Sequence, residues 1–408
     1  MTPAAGGPLE GLLVADFSRV VAGPYAAMVL GDLGADVVKV ERPGSGDDTR
    51  AFGPPFVTDE VTGETFSSYY LSVNRNKRGV AWDLRSDEGR AKARALAGRA
   101  DVLIENFKPG GADRLGLGYD QLAAANPGLV YCSVTGFGST GEGASMPGYD
   151  FLVQAVGGFM SITGEGGGEP LKVGVAVVDV LTALFASNAV LAALVERAES
   201  GRGQRVEVDL LSSTLAALIN QASTYLTAGR VPRAMGNRHP SIAPYETLTA
   251  GDRPLVVAVG NDGQFAALAT AIGRPELAGD GRFSTNSARV EHREEMVAEL
   301  EKALSSHSAQ RWVDRFTAAG IPSGVVNDIS EAFGLAERVG LEPVVRLGRE
   351  GAEPWTAASA DPGAQVRSPI RLGRTPVSYR LAPPALGEHS AEVERLLGDP
   401  PPADPAAR

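Results

Sequence analysis

Asp179 is the one acidic residue in the apolar run from Val173 to Leu194, where only Thr182, Ser187 and Asn188 are otherwise polar. Two roles suit a carboxylate there. As an N-cap it would accept unpaired N–H groups of the following helix. As a nucleophile it would use the same helix terminus, which favours an ionised carboxylate and holds its pKa low. In that role the backbone N–H groups of the helix start would stabilise an oxyanion. Spacing alone favours the cap.

A second set of candidates is cationic. Arg42, Arg75, Lys77, Arg78, Arg85, Lys108 and Arg114 all lie at or beside strand-like runs. In an open α/β sheet, ligands bind outside the carboxyl ends of strands, so cations there suit an anion with several phosphates. For any one of these residues alone, a solvated rim is the simpler account.

Other chemistries are poorly supported. The segment Arg19–Pro24 lacks the glycine pattern of a dinucleotide site. Glu41 stands where such a site keeps its acidic residue, and Gly136–Gly141 matches G-x-G-x-x-G, but GEGASMPG follows in place of a helix. No G-x-S-x-G elbow occurs. The four histidines form no metal-ligand pair, and a lone Cys132 excludes an intrachain disulfide. Cys132 lies in an apolar run and reads as an inert core thiol. No metal or redox cofactor is expected.

The elements that must position these residues alternate. Strands are predicted at 12–16, 36–40, 79–84, 101–105 and 129–134, and helices at 24–33, 86–99 (with Ser86 as N-cap), 119–125, 151–162, 180–197 and 212–228. That alternation predicts an α/β fold around a mostly parallel sheet. From about residue 230 the texture changes to a second, smaller α/β domain, with a strand at 254–262 and helices at 263–272, 287–304 and 308–319. The expected division is a large domain from 1–205, a linker at 206–229, the small domain at 230–328, a linker at 329–350, and a return to the large domain over 351–408, ending in a frayed Pro-rich tail.

The chain has 408 residues and a net charge of −11, which argues against general nucleic-acid binding. No run reaches the ~20 uninterrupted apolar residues of a membrane span. The first residues lack a basic region followed by an apolar core. A cytoplasmic protein with neither nucleic-acid nor membrane partners is expected.

Several segments together resemble the family III CoA-transferases, the CaiB/BaiF group that contains formyl-CoA transferase, carnitine CoA-transferase and the divergent α-methylacyl-CoA racemases. They are VADFSRVVAGPYAAMVLGDLGADVVKVERPGSGDDTR (14–50), NRNKRGVAWDL (74–84), ADVLIENFKPGGADRLGLGYDQL (100–122), GYDFLVQAVGGFMSITG (148–164), the Asp179 run, SGRGQRVEVDLL (200–211), GNRHPSIAPYE (236–246) and LGEHSAEVERLLG (386–398). The resemblance implies a Rossmann-like large domain, a smaller α/β domain and an interlocked homodimer. It implies Asp179 as catalytic residue. It implies CoA contacts at Val20, Val21, Ala22, Arg42, Trp82, Asp83, Leu84, Arg85, Asn106, Phe107, Lys108, Arg114, Pro147, Gly148, Tyr149 and Asp150.

Three departures bear on the substrate. Val21 stands where formyl-CoA transferases carry Gln, and GNRHP occupies the region of their glycine-run loop, so formyl and oxalyl groups are disfavoured. Tyr149 replaces the racemase histidine, and a tyrosine with a pKa near 10 is a poor base for α-proton exchange. The expected activity is CoA transfer from an acyl-CoA to a free carboxylic acid through aspartyl anhydride and aspartyl-CoA thioester intermediates. Arg19, Arg238 and His239 are candidates for the second carboxylate of succinyl-CoA or another dicarboxylate. The alternatives are a 2-methylacyl-CoA racemase of the same fold and a non-catalytic CoA-binding protein.

Overall fold

The computed structural model describes residues 7–59, 63–347, 361 and 363–398. Residues 1–6, the expected boundary at 350–351 and the tail expected to fray lie outside the described residues. Six short strands form one sheet. They are β1 (Leu13–Asp16), β2 (Asp36–Glu41), β3 (Lys77–Ala81), β4 (Val102–Glu105), β5 (Val130–Thr135) and β6 (Arg205–Asp209). Their order is β3-β2-β1-β4-β5-β6, and every neighbouring pair is parallel. Covered on both faces, β1, β2, β4 and β5 are almost wholly buried, which is why they read as near-continuous apolar runs.

The strand order reverses between β1 and β4. Such a switch point opens a crevice outside the strands' carboxyl ends. Here those ends deliver Phe17–Val21 after β1 and Asn106–Lys108 after β4. The helices that matter to the crevice are α1 (Ala22–Asp32), α2 (Asp87–Ala97), α3 (Asp150–Val156) and α4 (Val177–Ser200). Ser86 caps α2, its hydroxyl accepting from Gly89 N at 3.0 Å. α4 packs on α1 and ends on Gly201, whose φ of +71° suits a left-handed cap.

The chain falls into two compact units. The first holds Met1–Gly158, Val173–Ser223 and Glu342–Arg408. Its C-terminal part is tied to β3: Asn76 N donates to Leu381 O and His389 N to Gly79 O. The second holds Phe159–Lys172 and Thr224–Leu341. Three antiparallel strands (Tyr245–Thr249, Pro254–Ala258 and Ser323–Val325) lie over a core that includes Phe265, Phe283, Met296, Trp312 and Phe316. Residues 159–172 join this unit because Ala234 N donates to Ser161 O and Gly236 N to Gly164 O. Sequence patterning does not reveal that tie.

Three predicted helices are broken. The helix expected over 151–162 stops at Val156, before Gly157 and a left-handed Gly158. That over 212–228 divides into Leu210–Ala217 and Ile219–Ala228, and that over 287–304 at His292. Apolar spacing continues across such kinks, so it does not register them.

Candidate active site

Asp179 is not a cap. α4 begins after Ala176, so Asp179 is the third residue of its first turn. The cap comes from α3: one Asp150 oxygen accepts from Val178 N at 2.8 Å and from Asp179 N at 3.3 Å. The other accepts from Gln154 Nε2 at 2.6 Å, and fully buried Gln154 in turn accepts from Val173 N at 2.8 Å. Val177 N and Val180 N donate to Val175 O and Ala176 O. The helix-start N–H groups expected to serve an oxyanion are therefore already engaged.

The charge state differs from expectation too. Burial and then the neighbouring Asp150 carboxylate push Asp179 up to about 7 from 3.8. The terminus dipole was expected to hold it low. Its nearest N–H groups face Asp150, so the stabilisation goes there and desolvation dominates at Asp179. A carboxylate of raised pKa is also the stronger nucleophile once ionised.

Two glycines bring Asp150 within reach. A Cβ on Gly148 would lie 2.4 Å from the Gly136 Cα, so the 146–149 loop crosses directly over the end of β5. That crossing accounts for the first glycine of the G-x-G-x-x-G match as a packing residue.

Two clefts run along the strand ends and share Arg19 and Phe107. The second, about 170 Å³, is lined by Val20, Val21, Ala22, Asn106, Lys108, Pro147, Gly148, Tyr149 and Asp179. The first, about 360 Å³, is lined by Arg42, Trp82, Asp83, Leu84 and Arg85, with Lys39 and Asp47 at its floor. Arg42 and Lys108 are exposed, and Arg85 pairs only with exposed Asp83, at 3.0 Å. These cations line two adjoining clefts, the second of which Asp179 also lines, an arrangement suited to a polyphosphate with a reactive far end.

Other predicted residues lie elsewhere. Arg114 is exposed at the end of the short helix Gly111–Arg114 and lines neither cleft. Arg238 pairs with Glu294 at 2.5 Å, and His239 accepts from Ser241 N and packs on Tyr245, all within the second unit. Arg75 and Lys77 are not part of a cationic rim. Arg75 makes a buried two-pronged pair with Asp32, and Lys77 lies 2.9 Å from Asp16. Arg78 pairs with Asp36 and Glu392. Glu41 lines the first cleft and is held by both prongs of Arg50. Cys132 is buried and its thiol is pushed up to about 12.

Sequence reasoning missed Tyr69. Burial and then the Asp179 and Asp150 carboxylates raise its phenol above the ordinary range, so it lies within their field. Phe52 packs edge-on against it at 5.5 Å. No spacing signal marks Tyr69, which follows a short hairpin (Phe56–Thr58 with Thr65–Ser67).

Comparison with known proteins places the chain in a family. A profile of the family described as CoA-transferase family III matches residues 9–390. A succinate–glutarate CoA-transferase of Agrobacterium fabrum is 45% identical over 95% of this chain and 94% of its own. A human succinyl-CoA:glutarate CoA-transferase is 38% identical over 95% of this chain and 85% of its own. The crystal structure of a CaiB/BaiF family protein from Brucella suis superposes with a TM-score of 0.85 at 42% identity, covering 96% of this chain and all of that one. With the match spanning both the strand-end crevice and the Asp179 helix, the chain belongs to CoA-transferase family III.

Proposed function

We propose that the enzyme moves CoA from succinyl-CoA, or a closely similar dicarboxylyl-CoA, to a second dicarboxylate, with Asp179 as nucleophile. The observation carrying this is that a cleft lined by Arg42 and Arg85 adjoins, at Arg19 and Phe107, the cleft lined by Asp179. Ionised Asp179 attacks the thioester carbonyl. The C–S bond breaks, CoA leaves as thiolate, and a mixed anhydride remains. The thiolate then attacks the aspartyl carbonyl, releasing the donor acid and leaving an aspartyl-CoA thioester. The acceptor carboxylate attacks that thioester, giving a second anhydride and thiolate. Attack of the thiolate on the acceptor's carbonyl gives the new acyl-CoA and restores Asp179. Covalent capture keeps the thioester's energy from hydrolysis, provided that water is excluded.

Arg19 supports the dicarboxylate preference. It lines both clefts, and its partner Asp48 is an exposed carboxylate at 3.1 Å. Exposed pairs contribute only ~0–1 kcal/mol, so a substrate carboxylate can replace Asp48. The names of the relatives, with succinyl and glutaryl groups, point the same way. Racemisation is less well supported, because both Asp150 oxygens already accept hydrogen bonds.

The test crosses several acyl-CoA donors with many carboxylic acids. Transfer from succinyl-CoA to a C5 dicarboxylate is expected, with Arg19→Ala raising the KM for the dicarboxylate. Asp179→Asn should abolish transfer and the hydroxylamine-sensitive adduct. Full activity in Asp179→Asn, or α-proton exchange without an acceptor acid, would overturn the reading. A homodimer is proposed as the working form.

A further inference from the structure

The stretch from Ser18 O to Val20 N, in the loop that leaves β1, is held by side chains from outside β1. Val20 has a φ of +68°, a left-handed conformation that a β-branched residue rarely adopts. Its N–H donates to both Asp47 oxygens at 3.3 Å. Asp47 lies 2.9 Å from Lys39 Nζ, and both side chains are fully buried. Lys39 Nζ also donates to Ser18 O at 3.0 Å. Between those two points, Asn106 takes both polar groups of Arg19: it accepts from the N–H at 2.9 Å and donates to the carbonyl at 2.8 Å. Four consecutive backbone groups are thus paired without a single ladder bond. The close approach also needs Gly23, where a Cβ would lie 2.3 Å from the Ser18 Cβ.

We propose that Lys39 and Asp47 are positioning residues for CoA transfer: their buried ion pair clamps Ser18–Val20 in a strained turn and so presets Val20 and Val21 in the cleft that holds Asp179. Lys39 and Asp47 sit on the floor of the neighbouring cleft, beneath the loop. The Lys39 ammonium lowers Asp47 to about 2, and the Asp16 and then the Asp47 carboxylates raise Lys39, so the clamp is charged throughout the working pH range. Strain of this kind persists only where the surroundings over-determine it, and such sites are where function resides. The Val20 conformation would relax to negative φ without the clamp, and the loop would then move relative to Asp179. The inference rests on transfer taking place in the Asp179 cleft, which Asp179→Asn tests separately.

The test uses the paired replacement Lys39→Met with Asp47→Asn, which leaves no orphan charge. It is measured in the wild-type background and beside Val20→Gly, because glycine adopts positive φ without help. The expected result is a kcat lowered about tenfold or more, equivalent to ~1.4 kcal/mol of lost transition-state stabilisation. Adding Val20→Gly to the pair should recover part of that loss, judged against Val20→Gly alone. A purely structural pair would lower Tm, leave kcat of the folded protein intact, and show no such recovery. Unchanged kcat, or a loss that Val20→Gly does not reduce, overturns the proposal. If the paired replacement does not fold, Asp47→Glu decides by the same two outcomes, since it keeps the charge beside Lys39 and displaces the acceptor from Val20.

Discussion

At the scale of the residue, two carboxylates divide one helix terminus. Asp150 takes the N–H groups of Val178 and Asp179, and Asp179 is left partly buried beside a like charge. The pair explains how an aspartate can be protonated in part near neutrality and still attack a thioester when ionised. With Asp179 at about 7, kcat/KM should fall as pH drops below that value, because free enzyme loses its anion. Asp150→Asn keeps an acceptor for the helix N–H groups but removes the charge, so the acid limb should move to lower pH while burial still holds it above 3.8. A pH profile of kcat/KM for both forms reads this directly, and an unmoved limb would show that Asp150 does not set the Asp179 charge. The same group affects stability. Its folded value lies above 3.8, so the folded state binds the proton more tightly and stability declines as pH rises from 3.8 to about 7.

At the scale of the element, the site depends on where segments cross. α3 can cap α4 only because its entry loop passes directly over β5 at Gly148 and Gly136. The obstacle to a side chain there is backbone, which cannot swing aside as a flexible side chain would. Gly148→Ala should therefore displace Tyr149 and Asp150, destabilise the protein by ~1–3 kcal/mol, and depress kcat more than it alters the CoA-binding end. Denaturant titration beside steady-state kinetics checks both. Gly138→Ala is a fair comparison, since that residue has a φ of +87° but open space around it. If Gly148→Ala, at a position with no left-handed φ, costs no more in kcat or stability than Gly138→Ala, the crossing is not what constrains it. The strands and the Ser86 cap were legible in the sequence because each follows from local period or local hydrogen bonding. The crossing was not, because the partner of Gly136 lies twelve residues on, and without it the 136–141 glycines read as a phosphate loop.

At the scale of the whole molecule, α4 poses a question of cover. It spans 24 residues and contains an 18-residue window with a mean hydropathy of 2.0, so by length and composition it matches a membrane-crossing helix, although half of that window is buried inside the protein. Leu184 and Phe185 on α4, and Phe151, Leu152 and Val156 on α3, are exposed. A group of exposed apolar residues on two helices that pack together suits an interface, and a second copy of the chain is the commonest partner. Light scattering without detergent is expected to give twice the chain mass, and Phe185→Glu to shift it toward the monomer. A monodisperse monomer, or recovery only with membranes, would refute the homodimer.

The sequence by itself determined the α/β class, the alternation of strands and helices, and the short list of cations and carboxylates from which a site could be built. Arg42, Arg85 and Lys108 were legible because strand ends are local features and the crevice rule applies to them directly. Only the tertiary structure decided which of those charges remain available. Arg75 and Lys77 come at the amino end of β3, whereas Arg42 follows the carboxyl end of β2, and Asp32 and Asp16 neutralise them in the interior. Only the tertiary structure, likewise, gave the Asp179 helix its cap from Asp150, 29 residues away, and placed Tyr69 within the field of both. The physical reason is one of range. Apolar period and capping act over a few residues, whereas the pairing of buried charges is set by packing between segments that the chain brings together only when folded.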